Sequence, residues 1–354
     1  MELSLILSGL ALSLTLLNAL TIKVVKNSSA TVTSPVSILI PMRNEESNVI
    51  QCINSVTSQE GLRNFEVLVL DDNSEDQTSI LISKFKNIKK LDGTNLPDGW
   101  LGKLWACQQL ANASTGEYLV FIDADVRLSN NAVASAISKM GKWDFISPYP
   151  RQIMTGFIQR LFQPLLQWSW LSSVPLFISQ KLGIKSMAVA NGQFLIIKRD
   201  AYFKSGGHQS VKSEVIDDIM LARKLLATGF SGGVADASQV AICQMYKTAG
   251  ELVNGYRKSL WKAFGSIFGT FVAILILFIT GVAPFIGAIF GSKIGLLAFG
   301  FIVLSRVISS IRTGTIPNTA LLHPVAIIFL IGLIIYSWIG KLTNRLTWRD
   351  RKLS

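Results

Sequence analysis

"FEVLVLDDNSEDQTS", residues 65–79, opens as an apolar run and closes on four acids, Asp71, Asp72, Glu75 and Asp76. A strand that is apolar at successive positions must be covered on both faces, as happens inside a parallel sheet. Two other stretches repeat the pattern. "VSILIPM" (36–42) runs into Arg43, Asn44 and Glu45, and "EYLVFIDAD" (117–125) ends on Asp123 and Asp125. Helix-like segments near 46–59, 76–87 and 103–114 complete a β-α-β-α rhythm. It predicts an α/β fold with a mostly parallel sheet and helices on both faces. Ligands of open α/β sheets bind at the carboxyl ends of the strands. The three polar clusters are therefore expected to converge on one crevice.

The rest of the chain is not that of an ordinary soluble domain. Of 354 residues, 49% are hydrophobic and 16% charged, against about 25% charged in soluble domains. The formal net charge is +12. Such an excess fits nucleic acid, anionic lipid or a phosphorylated substrate. Lys and Arg are dispersed, with no zinc-finger spacing or aromatic-basic motif, so no nucleic-acid partner is expected. Membrane attachment explains the excess, because cations gather at the cytoplasmic ends of spanning helices. Cys52, Cys107 and Cys243 lie far apart, outside any CxxC or Cys/His cluster. Neither zinc nor a disulfide framework is expected, only reduced thiols.

Residues 1–22 are nearly uncharged and long enough to cross a bilayer, and Lys23 and Lys26 follow. Charge after the apolar run, rather than before it, reads as a retained anchor (1–26) whose C-terminal end is cytoplasmic. The soluble domain is placed at 27–265. Within it, 153–184 is aromatic and broken by Pro164 and Pro175. It reads as interfacial helices with Trp168 and Trp170 at headgroup level, or else as a buried helix pair. Apolar runs follow at 267–290, 294–311 and 321–340, then a basic tail, 341–354. A cytoplasmic tail after three full spans breaks parity, so the middle run, holding Arg306, is expected to be re-entrant or interfacial. The expectation is an integral protein of the inner or plasma membrane, with its soluble domain facing the cytoplasm.

The chemistry-bearing residues sit at predicted strand and helix ends. Asp123 and Asp125 flank Ala124 in "FIDADV" (121–126). Two hard carboxylates suit a divalent cation bridging a diphosphate, although such triplets are also common in turns. In "PMRNEE" (41–46), Pro41 is expected to stop the ladder. Arg43, Asn44 and Glu45 then read a base edge or grip a phosphate, unless they only cap a helix. Ser74 with Gln77 fits a capping box, which leaves Asp71 and Asp72 unexplained. Lys103, in "WLGKLWA" (100–106), meets a diphosphate or is a surface lysine. Asp217 and Asp218 open the helix in "VIDDIMLARKLLATG" (215–229), as helix-favouring charge or as a general base. "NGQFLIIKRDAYFKSGGH" (191–208) reads as a strand, a helical turn and a glycine turn. Its histidine, His208, is structural or functional; His323, beside Pro324 in an apolar run, is the weaker candidate.

In this order and spacing the motifs resemble a known family, the membrane-bound glycosyltransferases of family 2. The resemblance covers about 36–265 and the C-terminal membrane region. It implies the GT-A fold, a Rossmann-like and mostly parallel sheet, with a nucleotide-sugar donor and an inverting single displacement. By matching motifs, Pro41, Arg43, Asn44 and Glu45 would line the nucleotide pocket, Asp72 would bond the uracil, and Lys103 would support the nucleotide. Asp123 would face the sugar or ribose, and Asp125 would coordinate Mg or Mn with Asp123 beside it. Asp218 matches the general base; its neighbour is Asp217 where the family has Glu. Gln193, His208 and Trp261 fall to the acceptor pocket, and Arg257 to closure on the donor diphosphate. "GWLGK", "NGQ", "GGH" and "TWRDR" (347–351) look most like carotenoid- and hopanoid-associated transferases. The Gln-x-x-Arg-Trp of processive synthases is missing, since "GYRKSLW" (255–261) spaces Arg257 and Trp261 differently. The resemblance thus implies transfer of a hexose, glucose from UDP, to a hydrophobic acceptor such as a carotenoid or carotenoid acid. The alternatives are a polyprenyl phosphate, glycolipid or polysaccharide-precursor acceptor, or a non-catalytic membrane protein.

Overall fold

A computed structural model describes residues 1–348 and 351–352. The chain divides into two compact units: Ile22–Gln152 with Ile178–Gln244, and Met1–Thr21 with Ile153–Phe177 and Met245–Ser354. This differs from the expected boundaries. The aromatic segment up to Phe177, and everything from Met245 onward, joins the anchor helix rather than the soluble domain.

The first unit contains β1 (Val36–Met42), β2 (Phe65–Asp71), β3 (Lys89–Asp92), β4 (Tyr118–Ile122), β5 (Val126–Leu128), β6 (Phe145–Tyr149), β7 (Arg151–Gln152), β8 (Phe194–Lys198), β9 (Gly232–Asp236) and β10 (Ala241–Cys243). Seven of them form one sheet in the order β3-β2-β1-β4-β8-β6-β9. The pairs β1–β2, β1–β4, β2–β3 and β6–β9 are parallel, and only β8 runs antiparallel to its neighbours. One face packs Leu39, Leu68, Leu119 and Phe121 against the helices Gly102–Ala113 and Asp217–Ala227. The alternate residues Ile38, Ile40, Val69 and Val120 are also fully buried. That double burial is why these strands read as continuous apolar runs.

Pro41 does not stop the ladder outright. β1 continues beside β2 through Met42–Asp71, while its pairing with β4 ends at Leu39–Phe121. The missing proline N–H falls where the β4 side is already unpaired. The capping expectations fail. Asn48, not Asn44, precedes the helix Val49–Thr57. The segment expected to be helical over 76–87 is helical only at Thr78–Ile82, without a side-chain cap.

The second unit has four helices long and apolar enough to cross a membrane: Glu2–Thr21, Ile267–Ile289, Lys293–Arg312 and Ala320–Leu342. The expected re-entrant segment is not the broken one. Lys293–Arg312 is one continuous helix, whereas the preceding run breaks at Val282, ahead of Pro284. The tryptophans pack among helices, as in the buried-helix alternative. Trp168 and Trp170 are 6% and 8% exposed, and Trp168 Nε1 donates to Ser305 Oγ at 2.8 Å inside the helical core. Asn18 of the first helix donates to the carbonyls of Leu171 and Val174 and accepts from Leu176 N–H. It thereby satisfies the C-terminal end of the helix Pro164–Ser173. Of the "TWRDR" stretch, Arg349 and Asp350 lie outside the described residues.

Candidate active site

The three polar clusters do lie at equivalent strand ends. The turns after β1 and β2 each hold a left-handed asparagine, Asn44 (φ 51°) and Asn73 (φ 54°), two residues past the strand end. The two loops then pin each other. Asn44 N–H donates to Ser74 Oγ, Glu45 N–H to Thr78 Oγ1 and Glu46 N–H to Asp76 Oδ2, while Glu75 N–H donates to Asn44 Oδ1. Arg43 Nη1 donates to the carbonyls of Asp72 and Asn73. Asp76 therefore serves both the loop latch and the start of the short helix, since its Oδ1 accepts from Thr78 N–H. Asp76 is partly desolvated, but the bonds from Thr78 and Glu46 outweigh that and hold its carboxyl below the usual range. Asp71 Oδ1 accepts from Ser74 N–H, and Asp72 is 4% exposed at the strand end.

Beyond β4, Asp123 N–H donates to Gln193 O, extending the β4–β8 ladder by one bond. Lys103 Nζ grips both oxygens of Asp123, at 2.7 and 2.8 Å. Burial opposes the Lys103 charge, yet Asp123 and Asp217 overcome it and hold the ammonium protonated well above its ordinary range. Gly192 joins this pair to the next helix. Its N–H donates to Asp218 Oδ2 at 3.0 Å, while Asp218 Oδ1 accepts from Ile219 N–H. A Cβ added at Gly192 would lie 3.4 Å from Asp218 Cβ and 3.6 Å from Lys103 Nζ. Asp123, Lys103, Gly192 and Asp218 thus surround one small volume. Burial, and then the neighbouring charge of Asp217, pushes Asp218 up to about 6 despite its backbone bonds. A carboxylate so poised accepts a proton near neutral pH.

Asp125 lies beside this group. Burial, and then the charges of Asp123 and Glu45, pushes its carboxyl up to about 6. Its Oδ1 is buried without a hydrogen-bond partner. An orphaned carboxylate oxygen among other acids is a donor set that fits a divalent cation. No cluster of three protein ligands exists among the described residues, so such an ion needs oxygens from a substrate. Arg127, which sequence reading missed, braces this turn. Its Nη1 donates to the carbonyls of Ala124 and Val126, its Nη2 to Asn48 Oδ1 and its Nε to Gln51 Oε1. Its position two residues beyond Asp125 was the available signal.

The acceptor-pocket residues fare differently. Gln193 is 5% exposed and accepts from Gln152 Nε2, behind Asp123. His208 is 4% exposed, shares a 2.8 Å bond with Tyr202 Oη through Nδ1, and packs against Phe121. Burial drives it down to about 3, so it stays neutral and braces the core. The glycine ahead of it is required: Gly207 has φ 54°, and a Cβ there would meet the Tyr202 ring at 2.6 Å. Arg257 and Trp261 belong to the membrane unit. Arg257 stacks 4.2 Å over Tyr336, and the Trp261 ring lies 6.2 Å from Trp338.

Residues 37–204 match the family described as Glycosyl transferase family 2. The protein is a glycosyltransferase with a family 2 domain. Its mostly parallel sheet has the GT-A fold. Over 341 residues this glycosyltransferase is 25% identical to a 4,4'-diaponeurosporenoate glycosyltransferase of Staphylococcus aureus (strain bovine RF122 / ET3-1), covering 90% of this chain and 88% of that protein. The enzyme of that name from Staphylococcus haemolyticus (strain JCSC1435) is 25% identical over 266 residues, 70% of this chain and 67% of the relative. Among solved structures, mannosyltransferase PcManGT from Pyrobaculum calidifontis, in complex with GDP-Man and Mn2+, superposes with a TM-score of 0.56 at 17% identity. The match covers 95% of this chain and 99% of that one.

Proposed function

We propose that this glycosyltransferase moves a hexose, glucose, from a UDP donor to a carotenoid-acid-like acceptor drawn from the bilayer, with inversion, on the cytoplasmic side. One observation carries the reading: Lys103, Asp123, Gly192 and Asp218 converge at the carboxyl ends of the sheet. The carotenoid acid named in the staphylococcal relatives and four membrane-length helices support the choice of acceptor.

In this reading Asp72 accepts from the uracil N–H, and Arg43, Asn44 and Glu45 shape the nucleotide pocket through the latched loops. Asp125, with Asp123, would hold a divalent cation, Mg or Mn. Bound there, the ion would offset charge on the leaving diphosphate. Lys103 orients Asp123 and adds positive charge at the same place. The acceptor oxygen forms its bond to the anomeric carbon as the bond from that carbon to the diphosphate oxygen breaks. The electron pair leaves with UDP. For an alcohol acceptor, Asp218 takes the proton. A carboxylic acid acceptor is already ionised near pH 7, so it needs little help from a base. Incorporation of radiolabelled sugar into defined lipids tests the assignment. Label in polyprenyl phosphate rather than in the carotenoid acid would overturn it.

A further inference from the structure

A polar cluster unused by the transfer chemistry lies inside the membrane unit. Arg306, on the helix Lys293–Arg312, is 1% exposed, and its Nε and Nη1 have no hydrogen-bond partner. His323, which opens the helix His323–Leu342, is 0% exposed, and neither ring nitrogen has a partner. Trp168 links the two, since its Nε1 donates to Ser305, the residue before Arg306 in the chain. The Trp168 ring packs edge-on at 4.8 Å from the imidazole. Ser305 is already engaged, accepting from Trp168 and donating to Ile302 O.

An unpaired buried guanidinium costs several kcal/mol, and in a membrane segment it marks a functional contact. This unit cannot supply the counter-charge from its described residues. Its acids there are Glu2 and Glu251, both exposed, and no described ion pair includes Arg306. What is missing is an anion with several acceptor oxygens, which a planar guanidinium grips through two N–H groups at once. The start of the helix at His323 adds positive potential. Trp168, Val282, Ile302 and Ile327 form a packed apolar cluster in the same unit, and the buried Ser309 and Ser310 lie one turn beyond Arg306. Arg306 stands six residues before its helix ends at Arg312, about 9 Å along the axis. A headgroup reaches that depth while its chain remains in hydrocarbon.

We propose that Arg306 and His323 form a binding site for the anionic head, carboxylate or phosphate, of a hydrocarbon-chain lipid. The site is independent of the donor and acceptor assignments, because its readout is binding rather than transfer.

The test uses the full-length protein in neutral detergent and reads its thermal midpoint. Oleate and dioleoyl phosphatidic acid are the chain-bearing probes, methyl oleate the uncharged control and inorganic phosphate the chainless one. Oleate or the phosphatidic acid should raise the midpoint. Methyl oleate, and phosphate at equal concentration, should not. Arg306→Met should melt no lower than the ligand-free wild type and should weaken the lipid response at least tenfold. His323→Phe should weaken it less. An equal response to methyl oleate, or an undiminished one in Arg306→Met, overturns the proposal. A response to phosphate alone assigns the site to a soluble anion and overturns the lipid. Should Arg306→Met fail to fold, native mass spectrometry of the wild type decides. An acidic lipid displaced by oleate but not by methyl oleate upholds the site, and its absence overturns it.

Discussion

Asp218 shows how much one side chain's surroundings decide. Two backbone N–H groups fix its orientation, and burial lifts its carboxyl to about 6. For an alcohol acceptor the ionised form is the active one, present above about pH 6 and lost below it. Values of kcat/KM should therefore fall about tenfold per unit as pH drops under 6; a flat profile down to pH 4.5 contradicts the base assignment. Asp218→Asn should lower transfer to an alcohol by roughly 100-fold or more. Gly207→Ala probes the opposite kind of residue. Its left-handed backbone and the Tyr202 ring at 2.6 Å should cost roughly 2–4 kcal/mol, read as a lower melting midpoint with KM for the donor unchanged. An unchanged midpoint would remove the structural account of His208. The acids at strand and helix ends were legible in sequence because strands of an α/β sheet deliver their carboxyl ends to one edge. What His208 does was not, since its role depends on Tyr202 and Phe121 folding around it.

At the scale of elements, the loops matter more than the strands that carry them. β1, β2, β4 and β8 were readable from unbroken apolar runs. β3, β6 and β9 were not: "KKLD" is a half-polar edge, "FISPY" holds Pro148, and "GGVAD" begins with two glycines. Gly232 is nonetheless demanded, because a Cβ there would collide with the carbonyl oxygen of Phe145. The latch between residues 43–46 and 72–78 escaped notice because its bonds join residues about thirty apart. Arg127 braces the Asp123–Asp125 turn through both backbone and side-chain acceptors. Arg127→Met should weaken metal-dependent UDP binding by about 10–100-fold, measurable by calorimetry; unaltered binding would reduce Arg127 to a surface contact. In the membrane unit, Asn18→Leu strands two carbonyls and one N–H. The loss should be roughly 2–4 kcal/mol, seen as earlier thermal unfolding in detergent. A midpoint equal to wild type would contradict that bracing role.

For the whole molecule, membrane attachment was legible from hydropathy alone, and the four long apolar helices match the runs read from sequence. The fate of 153–177 was not legible. Its aromatic residues suit a headgroup region and a helical core equally well by composition, and only partners such as Ser305 for Trp168 separate the two. The proposed reaction is transfer of glucose from UDP-glucose to a carotenoid acid by a site containing Asp218. Purified full-length enzyme, given radiolabelled UDP-glucose, a divalent cation and paired carotenoid acid and alcohol acceptors, tests it most directly. The wild type should label lipid with both acceptors. Asp218→Asn should lose roughly 100-fold or more with the alcohol and less than tenfold with the acid. Failure of the wild type to label the acid, or equal losses with both acceptors, would contradict it.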